Sequence, residues 1–236
     1  MRKEQIEILH LLEGAKKAEG LSVVIDVFRA FSLECWAYAA GVKQIIPVGR
    51  VEEAFALRDA YPDWLIAGER NGIKIEGFDF GNAPSEFEHI DLTGRTLVHT
   101  TSAGVQGLTA VPVGGEILTG SLNNAGAIAE YIKKKNPDKV SLVAMGWNAL
   151  KQTEEDELCA EYIRSLLLEE PLADIETKAD ELRYTEGKKF FDPAQAHIFP
   201  RRDFDLCTMC DRFDFVLRIR RENGLLYADR ISPEQF

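Results

Sequence analysis

LSVVIDVFRAFSLECWAYAAGVKQIIPV, residues 21–48, contains a complete strand, helix and strand in 28 positions. Leu21–Ile25 (LSVVI) is short, apolar and β-branched, as a strand buried on both faces should be. Phe28 to Ala40 reads as a helix, and Gly41 ends it. Gln44–Val48 (QIIPV) reads as a second strand. Working outward, the alternation continues. Val51–Ala60 is a helix with acidic residues in its first turn, where the helix dipole favours them. Trp64–Ala67 is a strand. Thr96–His99 is another, with a helical turn over Ala103–Leu108. Glu116–Leu118 is a strand before a helix from Asn124 to Lys135. Lys139–Ala144 is a strand before a helix from Thr153 to Leu168.

Two stretches are less clear. Ile6 to Leu12 fits either period, and Pro171 to Arg202 is irregular enough to read as outer helices and loops. Near the end, Phe213–Ile219 alternates like a strand at a sheet edge. Alternating strands and helices with apolar strands predict a layered α/β fold with a largely parallel sheet. The chain has 236 residues, enough to bury roughly 70% of its unfolded surface. We expect one domain over residues 1–236.

Composition excludes several classes of function. The net charge of −11 argues against nucleic-acid binding, which needs clustered Lys and Arg. An anionic substrate would then need local help from a metal or a few arginines. No run reaches the roughly 18 apolar residues of a membrane span, and no signal peptide is evident. Four cysteines in such a chain imply reduced thiols and a cytoplasmic location. Cys207-Thr-Met-Cys210 lacks a second pair and lies in a strand-like stretch, so it reads as core.

In open parallel sheets ligands bind beyond the carboxyl ends of strands. Here Asp26 follows the first strand, with Arg29 three residues on. Gly68-Glu69-Arg70-Asn71-Gly72 follows the third. Its loop runs on through Asp79 and Asn82 to Pro84, long for a mere connection. Thr100-Thr101-Ser102 precede a helix start, a natural phosphate seat. Gly120-Ser121 is a weaker seat. Structural readings compete at each point: Asp26 as a helix cap, Glu69 and Arg70 as a surface pair, Thr153 and Asp156 as a capping box, His99 as a core histidine. The functional reading gathers Asp26, Glu69 and either Glu155 or Asp156 around a metal. Hard oxygen donors favour Mg²⁺ over zinc. The P-loop, HExxH, GxSxG, Cys-x5-Arg and DxDxT signatures are all absent.

These residues make the chain recognisable. VVIDVFRA at 23–30, GERNGIKIEGFDFGNAPSEF at 68–87, TTSAG at 100–104, GSLNNAGAIAEYI at 120–132, TEEDELCAEYI at 153–163 and DLCTMCDRFDFV at 205–216 resemble the 2-phosphosulfolactate phosphatase (ComB) family. The resemblance spans most of the chain. It implies a three-layer α/β/α fold, dependence on Mg²⁺ and hydrolysis of a small phosphate monoester, 2-phosphosulfolactate. By position, Asp26 and Glu69 would be acidic site residues, Arg29 and Arg70 would bind the anion, and Asp79 and Asn82 would line the loop. Ala103, Val105 and Gln106 stand where the resemblance expects Asn, Thr and Arg, and Trp147–Lys151 replaces a Gly- and Ser-rich turn. Both changes bear on which substrate fits.

The expected mechanism places Mg²⁺ on some of Asp26, Glu69, Glu155 and Asp156, with Asp26, Glu69 and Arg29 carrying the chemistry. Arg70, Asn82, Thr100, Thr101, Ser102 and Ser121 would contact the substrate. Direct attack by water and a covalent aspartyl-phosphate both fit. The alternative is a non-catalytic protein that kept the fold and binds an anionic metabolite. A homodimer is the base-rate expectation.

Overall fold

The computed structural model describes residues 1–170 and 172–236; Pro171, the first residue of the irregular stretch, lies outside the described residues. The ambiguous N-terminal stretch becomes a strand, β1 (Ile6–His10), and a short helix, α1 (Leu11–Ala15). Residues 21–48 fold as β2 (Leu21–Ile25), α2 (Ala30–Ala39) and β3 (Gln44–Pro47). The helix starts two residues later than its pattern suggests. Asp26 sets that start, its Oδ1 accepting from the Ala30 N–H and its carbonyl from the Phe31 N–H.

Next come α3 (Val51–Ala60), β4 (Leu65–Arg70), the short β5 (Ile73–Lys74), β6 (Thr96–Thr100) and α4 (Gly104–Ala110). They are followed by β7 (Ile117–Gly120), α5 (Ala125–Lys135), β8 (Val140–Ala144) and α6 (Glu154–Leu168). The C-terminal part holds α7 (Ile175–Glu181), α8 (Arg201–Cys207) and a hairpin of β9 (Val216–Glu222) and β10 (Leu225–Ile231). The irregular stretch between α7 and α8 consists largely of 3-10 turns. No described helix is long and apolar enough to cross a membrane.

One mixed sheet contains all ten strands, in the order β1-β8-β2-β7-β9-β10-β3-β6-β4-β5. β1, β8, β2 and β7 form one parallel set. β3, β6 and β4 form a second. The β9–β10 hairpin joins them by antiparallel pairing on both sides. Phe213–Ile219 is therefore not an edge strand, contrary to the expectation from its alternation. Leu217 and Ile219 face the core while Arg218 and Arg220 are less buried, and that one-sided burial makes the period of two. Cys207 also departs from its expected setting. It ends helix α8 rather than sitting in a strand, and it is fully buried.

Helix α2 packs on one face of the sheet. Nine of its ten residues are buried, Ser32 and Glu34 among them. Its Phe31, Leu33, Trp36 and Tyr38 share a cluster with Val24 and Val143 of the first set, Ile45, Ala67 and Leu97 of the second, and Leu217 of the hairpin. Phe31 and Leu33, fully buried, each stabilise the fold by about 2 kcal/mol. On the other face, Val23, Ile25 and Leu142 pack on α5 and α6, and Ile46, Ile66 and Val98 pack on α3. Helices thus cover both faces, giving the three-layer α/β/α fold.

The two parallel sets run in opposite senses along the sheet. Even so, both deliver strand ends to one crevice. Five steps separate β2 from β6, and twist at about 20–25° per step swings the second set well over a quarter-turn. The meeting of Asp26 with Gly104, just beyond β6, is the direct mark of this.

Candidate active site

Two carboxylates clamp one loop. Glu69, near the end of β4, accepts from the Ser102 N–H at 2.7 Å through Oε1. Its Oε2 accepts from the Gly72 N–H at 2.6 Å and from the Ser102 hydroxyl at 3.1 Å. Asp26, just beyond β2, accepts from Ala30 at 3.2 Å through Oδ1 and from the Gly104 N–H at 3.0 Å through Oδ2. Ser102-Ala103-Gly104 is thus held from both sides. A Cβ on Gly104 would stand 3.0 Å from Asp26 Oδ2 and 2.9 Å from the Phe31 ring, so the close approach needs glycine. The expected phosphate seat is accordingly filled by the protein's own carboxylates. The N–H groups of Ser102 and Gly104 are taken, and that of Val105 goes to Thr101 Oγ1 at 3.3 Å.

The crevice they border also has Phe28, Arg29, Asn82 and Phe199 in its wall, and the half-buried Gly146-Trp147-Asn148 form a partial cover. Its cavity of about 30 Å³ has room for a water or two. Asn148 ties the cover down, its Nδ2 donating to Asn71 Oδ1 at 3.1 Å. Arg29 is buried and paired. Nη1 donates to Asp203 Oδ2 at 2.7 Å and to the Ile198 carbonyl at 3.0 Å, and Nη2 donates to the Gly72 carbonyl at 3.1 Å. Its Nε–H and second Nη2–H have no acceptor among the described residues. Asn82 connects the crevice to a buried chain: His99 Nε2 lies 3.3 Å from Asn82 Oδ1, and His99 Nδ1 lies 3.0 Å from Glu34 Oε1. His99 is a core histidine, as expected, one link away from the crevice.

Asp26, Arg29, Glu69, Asn82 and Ser102 are therefore brought together. The other candidates do not line the crevice. Arg70 donates to the Glu69 and Gly49 carbonyls and to Thr100 Oγ1, bracing β4 against its neighbours. Thr100 and Thr101 are buried beneath the loop. Ser121 donates to Asn124 Oδ1 from its N–H and its hydroxyl, a local cap. Asp79 accepts from the Ile66 N–H at 2.8 Å and holds its own loop. Asp156 makes no capping box with Thr153. Its two oxygens accept from Val27 and Gly146, each at 2.8 Å, tying the ends of β2 and β8 together. Glu155 is buried with Oε2 unpartnered.

Electrostatics separate these acids. Burial first, and then the charge of Glu69, push Asp26 up to about 6 against the opposing pull of the Ala30 and Gly104 N–H groups and His99. Burial holds Asp156 well above the usual carboxylate range, with Glu155 and Asp26 adding to the shift. Burial raises Glu155 to about 7 against the pull of Lys189. At neutral pH Asp26 is mostly ionised and repelled by Glu69. Mg²⁺ takes one or two carboxylates and keeps several waters, and Asp26 and Glu69 are the two carboxylates that line the crevice. The fuller set with Glu155 and Asp156 is not assembled. Among the described residues no three acidic, His or Cys side chains gather closely enough to enclose a metal.

Sequence reasoning missed Asp203, Trp147 and Phe199 as parts of this site. No period placed them, and only the loss of a Gly- and Ser-rich turn after Gly146 drew attention to Trp147.

Comparison with known proteins places the chain in a family. A family model described as 2-phosphosulpholactate phosphatase matches residues 7–222. A "Probable 2-phosphosulfolactate phosphatase" of Bacillus subtilis is 30% identical over 217 residues, 89% of this chain and 92% of that protein. One of Caldanaerobacter subterraneus, with the same description, is 34% identical over 232 residues, 86% and 88%. One of Thermotoga petrophila is 35% identical over 205 residues, 83% and 87%. With the family model covering residues 7–222 and relatives 30% or more identical over most of both chains, the chain belongs to the 2-phosphosulfolactate phosphatase family.

Proposed function

We propose that the chain hydrolyses 2-phosphosulfolactate, or a related phospho-hydroxy acid, to the free hydroxy acid and phosphate, with Mg²⁺ as cofactor. The observation that carries this is the convergence of Asp26, Glu69 and Arg29 on one crevice in a chain of this family. Asp26 and Glu69 would hold the metal, which supplies positive charge to the phosphoryl oxygens. Arg29, fixed by Asp203, offers its two remaining N–H groups to the same oxygens, and such preorganised donors stabilise the transferring group most. A water oxygen forms the new bond to phosphorus and gives its proton to a carboxylate of the crevice, the ester P–O bond breaks, and the departing alkoxide oxygen takes up a proton to become the hydroxyl. The partial cover Gly146–Asn148 would move aside as the ester enters, since the crevice of about 30 Å³ holds only a water or two. The enzyme would act in the cytoplasm, where its four free cysteines stay reduced.

Phosphate release from 2-phosphosulfolactate and a panel of phosphorylated hydroxy acids, with Mg²⁺ and with chelator, tests the reading. Chelator-sensitive turnover of at least one member supports it. Tight binding without turnover of any member would instead leave a metabolite-binding protein on a phosphatase fold.

A further inference from the structure

Lys189 lies in the 3-10 turn Glu186–Phe191, within the stretch whose sequence has no clear period. Its ammonium stands among four aromatic rings: Trp147 at 4.5 Å, Phe199 at 5.2 Å, Phe190 at 5.6 Å and Phe28 at 5.8 Å. Trp147, Phe199 and Phe28 also line the crevice, so Lys189 sits immediately behind its aromatic wall. Glu155, Arg29 and Asp26 are all close enough to act on its charge.

Ring faces attract a cation but leave its N–H donors unmet. Among the described residues Lys189 makes neither a hydrogen bond nor an ion pair. The other cations in this region are committed. Arg29 is paired with Asp203, Arg70 with carbonyls and Thr100, Lys74 with the Asp79 carbonyl, and Lys151 with Glu186. The crevice itself carries Asp26 and Glu69 against one arginine already neutralised. A purely structural side chain here would be better as methionine, which fills the same space without the desolvation that draws the Lys189 pKa down.

We propose that Lys189 is a specificity-determining residue. Its ammonium receives the acid group of the substrate that is not transferred, carboxylate or sulfonate, once Trp147 swings aside with the cover. This rests on the phosphatase reading above, and it adds the requirement for a second anionic group on the substrate.

The test compares the wild type with Lys189→Met and Lys189→Arg. KM and kcat are measured with Mg²⁺ on 2-phosphosulfolactate and on phenyl phosphate, which lacks a second acid. Calorimetry measures the binding of sulfolactate. Loss of one charged hydrogen bond should raise KM for 2-phosphosulfolactate and weaken sulfolactate about 10- to 100-fold in the methionine variant. Phenyl phosphate should be unaffected, and the arginine variant should recover most of the loss. Unchanged sulfolactate binding in a folded methionine variant overturns the proposal. So does an equal loss on phenyl phosphate, which marks a structural role. If the methionine variant melts early, Lys189→Gln takes its place. If the wild type turns over neither ester, the phosphatase reading fails by itself. Sulfolactate binding then still decides for Lys189, and failure of the wild type to bind sulfolactate counts against it.

Discussion

The two parallel sets of strands each end in a carboxylate, but the two carboxylates work differently. Glu69 keeps all three of its hydrogen bonds within the second set, to the β4–β5 turn and the loop after β6. Asp26 divides its oxygens, one to the start of its own helix and one across the seam to Gly104. Two other bonds cross the same seam, from Arg29 to the Gly72 carbonyl and from Asn148 to Asn71. All three side chains belong to segments that follow β2 and β8. One set therefore reaches over, and the other presents a prearranged surface. The crevice is a joint between halves as much as a pocket, and Asp26 serves both roles.

Breaking Asp26 should have the largest effect. Asp26→Asn is expected to lower kcat/KM about 10⁴-fold with Mg²⁺ at pH 7.5, about 5 kcal/mol in the barrier. Phosphate release reads the loss, and an unchanged circular dichroism spectrum shows that the fold survives. Wild-type activity in that variant would remove Asp26 from the site. The pairing behind Arg29 is next. Asp203→Ala leaves a buried guanidinium without its anion and should destabilise the protein by about 3–5 kcal/mol in urea titrations. A loss below about 1 kcal/mol would mean that Arg29 finds another partner.

The raised pKa of Asp26 makes a third prediction, with a definite sign. Between the usual value of 3.8 and about 6 the folded protein holds a proton that the unfolded chain has released. The stability from this group is complete below about pH 4 and is lost as pH rises through about 6. The shift of about two units corresponds to about 3 kcal/mol. Wild-type stability should therefore fall relative to Asp26→Asn over that window, and parallel curves would deny the shift. Activity should decline in the opposite direction, as pH falls through about 6. The smallest effect belongs to the cover. Asn148→Gly, which tolerates the left-handed backbone at φ 53°, removes one bond worth about 1 kcal/mol, and hydrogen exchange at residues 146–151 should quicken about fivefold. No change there would show that the Gly146 bond to Asp156 and the turn's own backbone bonds hold the cover without it.

Much of the second set's behaviour could be read locally, and the failures follow from side-chain direction. Successive residues on a strand point to opposite sides. Glu69 and Arg70 are neighbours on β4, so a pattern that noticed both could place only one in the crevice. Ser102 reaches the crevice while Thr100 and Thr101 stay beneath it. Thr153 and Asp156 have capping-box spacing, but Asp156 finds stronger partners in Val27 and Gly146. The apolar strands showed plainly because burial on both faces leaves an unbroken run. β9 misled because alternation reports one dry face, not a position at the rim. β10 was missed although Asn223 and Gly224, at φ 50° and 80°, form the kind of turn that marks a hairpin. Lys189 and Asp203 lie where no period exists, and only tertiary packing brings them to Arg29.

The position of the hairpin also imposes an order of events. β9 and β10 are central in the sheet but last along the chain. A growing polypeptide can complete both parallel sets while they are still separate ribbons, each with an open edge. Pairings so distant in sequence are slow to form, and unpaired edges invite association with other chains. A chain ended after Phe215 keeps every crevice residue, yet it should be cut readily by protease and show no activity. Asp26 and Glu69 become one site only when the final strands close the sheet between them.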